Sequence, residues 1–216
     1  MRIRGLLIVC LCIAACVADI PQSRPADMAI RRVEGNTLVS PDQPKIRLQV
    51  DPAFTALPVL AFPIRRDTWV ERYIFVDSAE DKAIRRLIIV QFEHTLAGSK
   101  FRFVYPSTPP MKWGSAVYRS GAFIGDSAHE IAENPQLEVA QTQRFLQSHG
   151  YKVGNWWNIA RLARVADADG KSEIIVFYQE PIVLSPGTPP PDPDASLPDD
   201  LVQSLFTHLN GSVTSD

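Results

Sequence analysis

The chain has 216 residues, 22 of them basic and 24 acidic, and 45% of its side chains are hydrophobic. That suits one hydrophobic core and is too little for two comfortable domains. Arg31-Arg32, Arg65-Arg66 and Arg85-Arg86 are isolated pairs, better read as solvated faces than as a phosphate-neutralising stripe, so nucleic acid is set aside as a partner.

All three cysteines, Cys10, Cys12 and Cys16, fall within the first sixteen residues. A basic start, Met1-Arg2-Ile3-Arg4-Gly5, precedes an apolar run from Leu6 to Ala15, which is the layout of a secretory signal. The run is too short for a bilayer span, which takes roughly 20 apolar residues. Ile13-Ala14-Ala15-Cys16 resembles the lipobox of bacterial lipoproteins. The resemblance implies cleavage after residue 15 and several acyl chains on Cys16, hence firm membrane anchoring. Val17 follows, where some inner-membrane lipoproteins carry aspartate, so the expected location is the outer membrane, facing the periplasm or the surface. Plain cleavage after Ala18 also satisfies the small-residue rule. Loss of Arg2 and Arg4 with the leader leaves 20 basic against 24 acidic residues, and Cys16 without a disulfide partner.

Residues 16–44 hold Pro21, Pro25, Pro41 and Pro44 and little apolar periodicity, and read as a tether with a reach of roughly 30 Å. A single domain over 45–216 follows. Lys45 to Val50 alternates with period two. Thr68 to Asp77 and Ile84 to Thr95 are rich in β-formers and flank a polar turn, Ser78 to Lys82, as an antiparallel hairpin. Lys100 to Tyr105 is expected as a third antiparallel strand, with a shorter one at Ser115 to Arg119. Asp126 can cap a short turn through Glu133, and Asn134-Pro135 opens a helix that Gly150 ends. Trp157 to Ala166 and Ser172 to Glu180 flank Asp167-Ala168-Asp169-Gly170 as a second hairpin with a tight Asp-Gly turn. Ile174 to Tyr178, apolar on both faces, reads as a central strand. Pro-rich residues 185–198 form an extended loop, and a capping-box-like Ser196/Asp199 starts a last helix with Leu197, Leu201, Leu205 and Leu209 on one stripe. The expected fold class is α+β: an antiparallel sheet of about six or seven strands with two or three helices packed on one face.

No assembled catalytic set emerges. His129-Glu130-Ile131-Ala132-Glu133 begins like a zinc-protease helix, but Glu133 stands where the second histidine belongs. Asp167 to Gly170 opens like a calcium loop and lacks its downstream Glu. No serine sits in Gly-x-Ser-x-Gly. No metal and no cofactor are expected. Alternation places His94 with Ile88, Val90 and Phe92, and Glu93 with Gln91 on the opposite face. If the hairpin register brings Trp69, Glu71 and Tyr73 beside Gln91 and Glu93, these five form a ligand or partner patch. A second expected interaction surface is Tyr105, Trp113, Tyr118 and Arg119, aromatics with an arginine around a Pro/Gly-rich connection; core packing of these aromatics is the alternative.

The functional expectation is a membrane-anchored lipoprotein of the cell envelope, a non-enzymatic binding or structural module acting through contacts with a small ligand or another envelope protein. The alternative is an envelope hydrolase that gathers Glu93, Glu71 or His129 in a sheet-face cleft.

Overall fold

The computed structural model describes residues 24–65, 67–105 and 109–216. The expected signal segment at 1–15, Cys16 and the first part of the expected tether lie outside the described residues. Fifteen elements follow in chain order: β1 Arg32–Glu34, β2 Thr37–Ser40, β3 Ile46–Val50, β4 Thr55–Ala56, β5 Leu60–Ile64, β6 Thr68–Ser78, β7 Ile84–Thr95, β8 Pro110–Trp113, β9 Ala116–Asp126, α1 Ser127–Glu133, α2 Glu138–Ser148, β10 Trp156–Val165, β11 Ser172–Pro181, α3 Asp199–Ser212 and β12 Val213–Ser215.

The fold is mixed α and β, as composition and patterning imply, but it holds two antiparallel sheets rather than one. The small sheet has the order β1-β2-β3-β12, and the large one has eight strands in the order β4-β6-β7-β11-β10-β9-β8, with β5 sharing the β6 edge with β4. β11 lies between β7 and β10, which is why Ile174, Val176 and Tyr178 on one side and Ile175 on the other are all buried.

Strand alternation divides the large sheet into two differently treated faces. On one face Tyr73, Phe75, Ile88, Val90, Phe92, Leu162, Ile174 and Val176 pack against Leu38, Leu48 and Val50 of the small sheet and against Leu205 and Leu209 of α3. On the other face Ile74, Leu87, Ile89, Trp157 and Ile159 pack under Leu146 of α2. The helices therefore occupy both faces of the sheet, not one as expected. α3 follows the small sheet because β12 continues directly from its last turn and pairs with β3.

Residues 24–44, expected as tether, belong to the fold. β1 and β2 form a hairpin that extends the small sheet; Met28 and Leu38 are in its core, and Arg31 is buried. Lys100 to Tyr105 is not a strand, although its β-formers suggest one; it crosses the open part of the large sheet as a loop. The second hairpin closes through six residues, with Gly170 at φ +67° and Asp167 accepting the Lys171 N–H at 2.8 Å. Asp126 caps α1 as expected, accepting the His129 N–H at 3.0 Å. α2 and α3 start at Glu138 and Asp199 without side-chain caps, so neither Asn134 nor Ser196 plays that part.

Candidate functional site

The face of the large sheet that α2 covers is covered only at one end. Beyond α2 the side chains of Thr68 and Arg72 (β6), Gln91 and Glu93 (β7), Glu173, Ile175 and Phe177 (β11) and Arg161 (β10) form a floor. The loop 101–105 rises over it and encloses a cleft of about 600 Å³, with Phe101, Phe103 and Tyr105 as one wall and Leu137 and Glu138 at the head of α2 as the other. That volume lies in the range of small-molecule sites.

At the centre of the floor Glu93 and Glu173 face each other across β7 and β11 as register partners. Directly opposed residues of an antiparallel pair bring their side chains within contact, so the two carboxyls share one site. They are 7% and 3% exposed. Gln91 donates to Glu93, and the Tyr105 hydroxyl donates to Glu173. Arg161 in turn donates to the Tyr105 oxygen at 3.1 Å. Arg72 donates to Gln91 Oε1 at 2.5 Å, to Thr142 Oγ1 at 2.5 Å and to the Glu138 carbonyl at 3.1 Å, tying the floor to α2.

Burial pushes both carboxyls up, Glu93 to about 8 with Glu173 as the next cause, and Glu173 to about 7. Two carboxylates in one desolvated site cannot both ionise readily, so the pair holds a proton near neutrality. Burial lowers Arg72 to about 10. It raises the Tyr105 phenol, with Glu173 reinforcing it.

The expected five-residue patch does not assemble. The β6–β7 register pairs Trp69 with His94, Glu71 with Phe92 and Tyr73 with Val90, whereas Val70 and Arg72 stand beside Glu93 and Gln91. Trp69, Glu71 and Tyr73 therefore face the small sheet, and only Gln91 and Glu93 face the cleft. The reason is a register shift at Asp77/Ser78 in the hairpin; a slip of one residue moves a whole set of side chains to the opposite face. Nor do the three residues named for hydrolysis meet, since Glu71 is on the far face and His129 is exposed on α1. Of the second expected surface, Trp113 and Tyr118 are core residues in an edge-on contact with centroids 5.3 Å apart. Arg119 is half-buried on β9, and Tyr105 alone joins the cleft.

His94 is a buried, hydrogen-bonded histidine at the sheet end, with Nδ1 2.8 Å from Ser172 Oγ and Nε2 3.2 Å from Asp27. This Ser-His-Asp row is not a nucleophilic site: Ser172 is only 1% exposed. Among the described residues no three His, Cys, Asp or Glu side chains gather to hold a metal.

Sequence reasoning passed over Glu173, Arg72, Arg161 and Phe177. Glu173 carried a readable signal, an acid on the same face as Ile175 and Phe177 in a strand apolar on both sides. No protein-family model matches the chain, and no curated protein or solved structure matches it.

Proposed function

We propose that this is a ligand-binding module of the cell envelope, lipid-anchored through Cys16, whose working site is the cleft over the large sheet. The single observation that supports it is the acid pair on the cleft floor. Burying two carboxyls against each other destabilises the empty fold, and such perturbed groups in an aromatic-walled cleft are the signature of a candidate binding site. The lipobox-like leader supplies the anchor, the outer membrane the location, and a small molecule the partner. Envelope proteins remain as partners for the exposed strand edges of β8 and β4.

Hydrolysis is the second reading, favoured by one feature: two carboxyls that share a proton can supply an acid and a base to one substrate. It would use Glu93 and Glu173, without a histidine.

Native mass spectrometry of the protein extracted from its own membranes in mild detergent tests the reading. The expected result is a chain beginning at Cys16 with several acyl groups and a retained small molecule, the latter lost in a Phe177→Trp variant that fills the cleft. A chain from Asp19 without acyl groups contradicts the anchor. A chain that retains only protein partners, or nothing, contradicts the ligand site. Conversion of the retained molecule on standing, abolished by Glu93→Gln, would be the signature of the hydrolase.

A further inference from the structure

Each of the other two buried acids on the large sheet carries two guanidinium groups. Glu71 binds Arg24 at 2.7 Å and Arg31 at 3.2 Å, and Asp77 binds Arg86 at 2.7 Å as well as Arg85. Glu93 and Glu173 are as deeply buried, yet among the described residues no lysine, arginine or histidine nitrogen lies within 4.0 Å of either. Buried charge is ordinarily paired. Here the space where a counter-ion would stand is the cleft itself.

The surrounding charges are mixed. Glu138 on α2 raises both carboxyls further, while Arg72 favours the charged form of Glu93 and Arg161 that of Glu173. Arg72 points its hydrogen bonds at Gln91, Thr142 and the α2 backbone, and Arg161 at the Tyr105 oxygen. Arg65, Asp67 and Arg102 sit at the exposed rim, and Arg102 donates to the Phe101 carbonyl at 2.6 Å. The apolar part of the lining is Phe101, Phe103 and Leu137 on the walls and Ile175 and Phe177 on the floor. Among the described residues a bare metal ion finds two carboxylates and an amide at the floor, while aromatic faces attract organic cations and cover their hydrocarbon.

Resting on the reading of the cleft as a ligand site, we infer that its ligand is a small organic ammonium ion with an apolar or aromatic body, the nitrogen seated on Glu93 and Glu173 and the body against Phe103 and Phe177. The ammonium replaces the proton that the pair holds in the empty cleft, so binding releases that proton to solvent. No covalent step is involved.

Isothermal titration calorimetry on the full chain in mild detergent at pH 7 tests this with three probes of similar size: phenethylammonium, 3-phenylpropionate and 2-phenylethanol. The expected result is at least tenfold tighter binding of the ammonium than of either other probe. Its heat should vary with the ionisation enthalpy of the buffer, reporting proton release. The double variant Glu93→Gln/Glu173→Gln should lose the preference while keeping its thermal transition. Equal or tighter binding of the alcohol or the acid overturns the inference, as does an ammonium preference that survives the double substitution. If none of the three binds, the ammonium class is overturned, while a neutral or anionic molecule retained in the native extract would leave the cleft reading standing.

Discussion

Glu71 and Glu93 lie on neighbouring strands at 5% and 7% exposure and differ in what surrounds them. Arg24 and Arg31 hold Glu71, and Arg31 also lies 3.8 Å above the Phe92 ring. Glu93 has Glu173 and an amide. The consequence is a pH dependence with a definite sign. Between the ordinary glutamate value of 4.5 and about 8, the folded state keeps a proton on Glu93 that the unfolded chain gives up. Stability from this group is therefore fully present below 4.5 and is lost as pH rises through about 8. Urea denaturation at a series of pH values should show the wild-type unfolding free energy falling over this window, with a slope of at most about 1.4 kcal/mol per pH unit from one proton. Glu93→Gln should be flatter. A wild-type slope that Glu93→Gln leaves unchanged would contradict the assignment.

At the scale of elements, the β1–β2 hairpin shows where patterning fails. It is short and flanked by prolines, and its anchor is a long-range one: Arg31, between the hairpin and the large sheet, reaches Glu71 forty residues on. Nothing local in the sequence marks such a contact. β6, β7, β10 and β11 were legible because ten or more residues of β-formers leave no helical alternative. The loop 101–105 was misread for the opposite reason, since Phe101, Phe103 and Tyr105 are β-formers used to roof the cleft rather than to extend the sheet. Removing one partner of a buried ion pair leaves the other charge uncompensated, at a cost of about 3–5 kcal/mol. Glu71→Ala should therefore lower the unfolding free energy by about that amount in chemical denaturation, and protection of the β1–β2 amides from hydrogen exchange should fall with it. A loss below about 1 kcal/mol would mean that the hairpin is held by its apolar contacts alone.

For the whole molecule, one large sheet serves two purposes. One face is sealed by the small sheet and α3, and the other is left partly open between α2 and the 101–105 loop. Fold class was readable because hydrophobic periodicity reports local structure. The site was only half readable because Gln91 and Glu93 share a strand, whereas Glu173 stands eighty residues away and meets them only through register. The same dependence on register put Glu71 on the wrong side of the expected patch. Among the described residues no cationic nitrogen lies within 4.0 Å of the Glu93–Glu173 pair, and the inferred ammonium ligand would supply one. The most direct measurement is a pH titration of the side-chain carboxyl carbons of Glu93 and Glu173 by NMR, with and without phenethylammonium. Both should titrate above the usual carboxylate range in the free protein, and both midpoints should fall when the ammonium is bound. Midpoints in the ordinary range that the ammonium does not move would contradict the account.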